Sequence, residues 1–113
     1  MARLEIQIRV LEFAAAACEH VDTIATRNNY LAKQIDRATT STVLNTNEGV
    51  RRQSPGDKSN RYAMARGECA EAMSGLELAV RRRLLPEAEK ALELGERCLA
   101  MLTRLVQAME QRR

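Results

Sequence analysis

The apolar positions of the chain fall into four helical stretches separated by three short breaks. In the first, Leu4, Ile8, Leu11, Ala15, Cys18 and Asp22 recur at steps of four and three, which predicts a helix over about residues 3–25 with that stripe as its seam. Ile6, Val10, Phe13, Ala14 and Val21 lie off the seam, so this helix is apolar over more than one face. Thr26-Arg27-Asn28-Asn29 breaks the pattern, and Asn28 or Asn29 is a candidate N-cap for a second helix over about residues 30–52. That helix contains ATTSTVLNTN, whose β-branched and hydroxyl side chains form helices poorly, so burial against neighbours has to hold it.

Gln53-Ser54-Pro55-Gly56 reads as a turn, with Ser54 as N-cap and Pro55 at the first helical position. The third helix, about 55–83, aligns Tyr62, Cys69, Met73, Leu76 and Val80, and at 1.5 Å per residue is roughly 40 Å long. Leu84-Leu85-Pro86 ends it. A fourth helix over about 86–111 opens with Glu87 and Glu89, where the helix dipole favours acids. Its seam runs through Leu92, Gly95, Cys98 or Leu99, Leu102, Leu105 or Val106, and Met109. Short connections make consecutive helices antiparallel neighbours. The expectation is an all-α, up-down-up-down four-helix bundle occupying one domain, residues 1–113.

Composition sharpens this picture. Seventeen Ala and thirteen Leu supply most of the apolar bulk, with one Phe, two Tyr and no Trp, which suits closely approaching helices rather than a β-sandwich. Arg3, Arg9, Glu12 and Glu19 interrupt the most apolar stretch, so no membrane span is expected. The opening MARLEIQIRVLEF lacks the features of a secretion signal. Cys18, Cys69 and Cys98 form neither a complete pairing nor a CxxC, which points to a reduced, cytoplasmic chain.

An antiparallel second and third helix turning near residue 54 place residues at one level when their numbers sum to about 108. That rule sets Arg37 beside Glu71 as a charge-assisted bridge. It sets Ser41 beside Gly67, where the missing side chain would let the backbones approach, and Asn45 beside Ala63. The stretch Gln34-Ile-Asp-Arg37-Ala38-Thr-Thr-Ser41-Thr-Val-Leu-Asn45-Thr-Asn-Glu48-Gly49 resembles the signature of the bacterial intervening-sequence proteins, some of which are encoded within insertions in large-subunit ribosomal RNA genes. The likeness continues through Arg51-Arg52, Tyr62, Ala65-Arg66-Gly67 and Glu71. One departure is Glu68, where the family usually has a small hydroxyl residue after the glycine.

The resemblance implies a four-helix bundle that assembles as a homopentamer and has no established enzymatic activity. It also implies kinship with the accessory variability determinant proteins of diversity-generating retroelements, which bind nucleic acid and a reverse transcriptase. On that view Gln34, Arg37, Ser41, Asn45, Glu48, Gly49, Gly67 and Glu71 are structural motif residues.

Charge suggests chemistry of a non-covalent kind. The formal net charge is +3, and fifteen of the eighteen Lys plus Arg are Arg, the residue that forks onto phosphate oxygens. Arg51, Arg52, Lys58, Arg61 and Arg66 stand against a single acid, Asp57, and form the candidate nucleic-acid surface, with RNA or DNA as partner. The alternative is an ordinary solvated helix face, in which Arg51 and Arg52 answer a helix C-terminus. Arg81-Arg82-Arg83 reads more simply as a helix end, and Arg112 and Arg113 as a mobile terminus.

His20 is the only histidine, no Glu-x-x-His pair is present, and adjacent Cys18, Glu19 and His20 would point to different sides of a helix. The three cysteines are expected to act as small hydrophobes. No catalytic residue, metal site or cofactor is expected. The functional expectation is a non-enzymatic homo-oligomer that binds nucleic acid through a basic surface. The rival is a protein-interaction scaffold for a partner such as a reverse transcriptase.

Overall fold

In a computed structural model, which describes residues 3–113, the chain forms four helices. They are α1 (Glu5–Ala25), α2 (Asn29–Arg51), α3 (Pro55–Arg81) and α4 (Glu89–Glu110). They pack in the order α1–α2–α3–α4–α1 around a shared core, in a body 45 × 26 × 21 Å. Met1 and Ala2, part of the expected domain, lie outside the described residues.

Local chemistry sets most of the boundaries. The Asn28 Oδ1 accepts from the Leu31 N–H at 3.0 Å to open α2, and the Ser54 Oγ accepts from the Asp57 N–H at 3.1 Å to open α3 with Pro55 at its first position. Gln7 does two jobs: its Oε1 accepts from the Leu4 N–H at 2.9 Å, and its Nε2 donates to Asn47 Oδ1 at 3.0 Å, tying α1 to α2. In α2 the helix-averse threonines are held by burial and back-bonding. Thr42 and Thr46 are fully buried, and their hydroxyls donate to the Ala38 carbonyl at 2.7 Å and the Thr42 carbonyl at 2.8 Å.

The end of α3 departs from the sequence expectation. The helix stops at Arg81, two residues early, in a Schellman turn: Leu84 N–H donates to Ala79 O at 2.8 Å and Arg83 N–H to Val80 O at 3.0 Å. Arg83 takes the left-handed position usually given to glycine, with φ 61°. Its carbonyl accepts from Arg27 Nη1 at 2.9 Å, joining the two turns at this end of the bundle. Pro86 does not open the fourth helix, because Leu85 and Ala88 are buried first and the helix begins at Glu89, whose N–H is met by Glu87 Oε1 at 2.8 Å.

The seam of α1 is a second correction. Its buried face is Ile6, Val10, Phe13, Ala17 and Ile24, whereas Leu4, Ile8 and Leu11 are 54%, 46% and 40% exposed. The larger side chains off the expected stripe, Phe13 above all, fill the interior. Cys18 lies on the outward stripe and is exposed, so only Cys69 and Cys98 behave as buried hydrophobes. The neighbouring Cys98 thiol, together with burial, pushes the Cys69 pKa up, which keeps it a neutral thiol.

Glycine placement shows where helices come closest. A β-carbon at Gly49 would lie 2.6 Å from the Tyr62 ring, and one at Gly95 would lie 2.7 Å from Met73 Sδ and 3.0 Å from Phe13. Gly67 is the opposite case and corrects the expectation of close approach there. It is exposed, and a β-carbon on it would meet nothing within 4 Å. The close fit of α2 on α3 comes from Gly49 receiving Tyr62 and Gly75 receiving Ile35. α1 and α4 pack least extensively, leaving an apolar groove of about 470 Å³ beside Leu4, Ile6, Met101, Leu105 and Ala108.

Two expectations follow for stability. Gly49→Ala should destabilise by about 1–3 kcal/mol through overpacking, while Gly67→Ala should stabilise by about 0.5–1 kcal/mol through helix propensity; equal midpoints in urea would contradict this. Arg83→Gly should raise the thermal midpoint, by about 0.5–1 kcal/mol of stability, and a drop on that substitution would show that the Arg83 side chain contributes more than its backbone strain costs.

Candidate nucleic-acid interface

The turn between α2 and α3 gathers part of the expected basic cluster. Arg51, in the last turn of α2, is exposed and makes no ion pair among the described residues. Arg52 is half-buried, its Nε 3.3 Å from Glu48 Oε2. Lys58 is committed to the fold: its Nζ donates to the Gly49 and Val50 carbonyls at 3.1 and 2.9 Å, closing the C-terminus of α2 from the first turn of α3.

Arg61 and Arg66 do not share a face. Arg61 Nη1 donates to Asn45 Oδ1 at 3.3 Å on the α2–α3 seam. Arg66, five residues further along and so roughly 140° around the helix, stands between Tyr62, Cys69 and Met73 in helical position and is half-buried. The structure therefore brings Arg51, Arg52 and Lys58 together, sets Arg61 one turn away, and turns Arg66 aside.

The same end of the molecule holds cations that the sequence pattern places in a mobile tail. Arg113 lines a cleft of about 510 Å³ with Ser54, Gly56, Asp57, Asn60 and Glu110. Its guanidinium lies 3.2 Å from where a β-carbon on Gly56 would sit, and it is anchored by Glu110 at 3.1 Å. Arg112 is exposed next to it. The signal for this was present in the topology, because an up-down-up-down chain returns its C-terminus to the α2–α3 turn. Arg51, Arg52, Lys58, Arg112 and Arg113 thus share one end with Glu48, Asp57 and Glu110, a locally positive balance.

The motif residues form a polar ladder up the outer α2–α3 seam. Arg37 sits at the intended level and is half-exposed, with Nη2 2.7 Å from Glu71 Oε1 and Nη1 2.8 Å from Glu68 Oε2. Its Nε also donates to Gln34 Oε1 at 3.4 Å. Ser41 helps to hold the Glu68 carboxylate in its charged form. Asn45 Nδ2 donates to the Ser41 carbonyl and hydroxyl, both at 3.0 Å. Glu48 closes the ladder on Arg52, and Gly49 seats the Tyr62 ring. Glu68, in sequence only a departure from the family pattern, is Arg37's second partner. Burial pushes its carboxyl up, but bonds from Ser41, Glu71 and Arg37 outweigh that and hold it below the usual range.

His20 is half-buried and joins none of the hydrogen bonds found among the described residues. Among those residues, no group of three or more His, Cys, Asp or Glu could hold a metal ion. Among them, too, no helix is long and apolar enough to cross a membrane.

A compact antiparallel bundle with a polar ladder on its second and third helices is the class the geometry defines. The profile of the family described as 23S rRNA-intervening sequence protein matches residues 2–105, and the chain belongs to that family. Among solved structures it resembles a protein of unknown function from the S23 ribosomal protein family of Bacteroides thetaiotaomicron. Identity there is 24%, with 89% of this chain and 97% of that one covered and a TM-score of 0.82, so the likeness supports the fold. No curated protein matches the chain.

The ladder carries a pH signature. Because the folded-state pKa of Glu68 is depressed, its contribution is present above the unfolded value and is lost as pH falls through the folded one. Glu68→Gln should lower stability near neutrality by less than about 1 kcal/mol, as expected of a pair at the surface. The gap from wild type should close below about pH 4. Thermal melts that differ by the same amount at pH 7 and pH 3 would exclude this role.

Proposed function

We propose that this protein is a non-enzymatic, cytoplasmic homo-oligomer that holds nucleic acid by phosphate contacts at the α2–α3 end of the bundle. The observation that carries the reading is the convergence of Arg51, Arg52, Arg112 and Arg113, distant in sequence, at one tip. Arg51 and Arg112 make no side-chain bond to the rest of the protein among the described residues, so their guanidinium groups are available to fork onto phosphate oxygens. The mechanism is electrostatic docking with counterion release, sensitive to salt and tolerant of sequence. Tyr62, the one aromatic side chain within the basic run, is buried against Gly49, which leaves phosphate contact rather than base stacking as the mode.

Self-assembly is supported by the outward stripe of α1, since apolar side chains lined up in the open commonly mark an interface. Five copies is the number implied by the family resemblance. Repetition of the basic tip around one rim would multiply a weak patch into a useful field. Three free cysteines, two of them buried, suit a reducing compartment.

The test is fluorescence anisotropy with labelled structured RNA and duplex DNA across a salt series. Arg51→Glu combined with Arg112→Glu should weaken binding at least tenfold, with the assembly mass unchanged. The slope of log affinity against log salt should flatten by about 0.9 for each phosphate that the variant no longer neutralises. Binding that is absent in wild type, or unaltered in the variant, would defeat the nucleic-acid reading. A partner protein captured independently of nucleic acid would favour the scaffold instead.

A further inference from the structure

Between the first turns of α3 and the last turns of α4 lies the cleft of about 510 Å³ that Arg113 lines, a volume within the roughly 300–1,000 Å³ of small-molecule sites. Its apolar part is small, Ala63 from α3 and Val106 from α4. Asp57 and Asn60 stand three residues apart on α3 and so share a helix face, as Val106, Glu110 and Arg113 do on α4.

Several polar groups of this cleft have no work within the chain. The Asp57 carboxylate and the Asn60 amide take part in no ion pair or side-chain hydrogen bond among the described residues. Ser59 is 5% exposed, and its hydroxyl joins none of those bonds either. No fully enclosed side-chain oxygen or nitrogen among the described residues lacks a partner, so the Ser59 hydroxyl opens onto the cleft that the residue lines. A hydroxyl so placed is met from outside the chain.

Charge and hydrogen-bonding pattern decide what fits. Asp57 and Glu110 outnumber Arg113 inside the cleft, which disfavours a phosphate there and leaves phosphate to Arg51 and Arg112 outside it. A free carboxylate only accepts, and two adjacent N–H donors satisfy both of its oxygens. Among the nucleobases guanine alone presents two such groups side by side, N1–H and the 2-amino group. Adenine, cytosine and uracil each set an acceptor next to their one donor group on that edge. Guanine's O6 and N7 both accept, and Asn60 and Arg113 are the donors for them.

We propose that the cleft takes an unpaired guanine base, with N1–H and the 2-amino group on Asp57, O6 and N7 facing Asn60 and Arg113, and the Ser59 hydroxyl as a further contact. This recognition rests on the nucleic-acid reading of the tip and adds a base preference to it. Arg51 and Arg112 hold flanking phosphates, while the base is held by its edge rather than by stacking on an aromatic ring. Pairing in a duplex occupies the same guanine edge, so the strand selected carries its guanine in a loop, a bulge or a single-stranded end.

The test is titration of ¹⁵N-labelled full-length protein with GMP, IMP, AMP, CMP and UMP, read from the amide signals of Gly56, Asp57, Ser59 and Asn60. GMP should bind at least about fivefold more tightly than AMP, CMP or UMP, the low end of what a bidentate base contact discriminates. IMP, without the 2-amino group, should lose most of that margin. Hairpin RNAs that differ only in one unpaired loop base should rank in the same order by fluorescence anisotropy. Asp57→Asn should abolish the guanine preference yet tighten binding of every hairpin, because a carboxylate leaves the basic tip; a carboxylate acting by charge alone gives only the second effect. An equal response to all five nucleotides, or a guanine preference that survives Asp57→Asn, would overturn the guanine site and leave phosphate docking standing. Selection of GMP with no hairpin bound would support the guanine site and defeat phosphate docking.

Discussion

The register of α2 against α3 is the constraint on which the rest of the molecule depends. It is fixed twice, on opposite sides of the helix pair. Inside, Gly49 admits the Tyr62 ring and Gly75 admits Ile35, so the helices lock where a glycine meets a large side chain. Outside, Arg37 reaches Glu68 and Glu71 at the level that the tight turn at Ser54–Pro55 dictates. The inner fit contributes most of the energy, because exposed ion pairs are worth little and close packing is worth a good deal. The outer ladder opposes slippage, since a shift by one turn would strand Arg37, Ser41 and Asn45 from their partners together. A helix as rich in threonine as α2 needs such support: its propensity is poor, and its buried hydroxyls spend their hydrogen bonds on its own carbonyls.

Once that pair is in register, the positions of the charged groups follow. Lys58 closes α2 from the first turn of α3, which draws the turn tight and leaves Arg51 facing outward. The up-down-up-down path then returns α4 to the same end, where Glu110 holds Arg113 over Gly56. A basic tip therefore arises from three separate segments of chain, although the net charge of the whole is only +3. The acids among these cations keep the tip from being a uniform positive field.

Much of this was legible in the sequence, and the parts that were not have physical causes. Helix number, order and two of the caps could be read because Asn28, Ser54 and Pro55 act locally. The Arg37–Glu71 level followed from the turn position and helix rise alone. The seam of α1 was misread because both of its faces are apolar; periodicity finds a stripe but cannot say which of two stripes faces inward. Volume was the missing criterion, since Phe13, Val10 and Ile6 fill a core that Ala15 and Cys18 could not. Gly67 misled for a related reason, because a glycine marks either a close approach or open space, and only the packing tells which. The basic cluster looked continuous along the chain, yet a helix separates residues five apart, so Arg61 and Arg66 parted while Arg113 joined from the far terminus. Glu68 stood out as a departure from the family pattern, but its pairing with Arg37 required the third dimension.

On the proposed reading a weakly basic chain would gain function through repetition, and the central claim is that the protein assembles and that the assembly holds nucleic acid. Light-scattering mass of nuclease-treated protein, taken alone and with structured RNA or duplex DNA at low and high salt, tests this most directly. The expected result is one species at a multiple of the 12.7 kDa chain mass, gaining mass with nucleic acid at low salt and losing it at high salt. A mass of a single chain, indifferent to nucleic acid at every salt concentration, would contradict it.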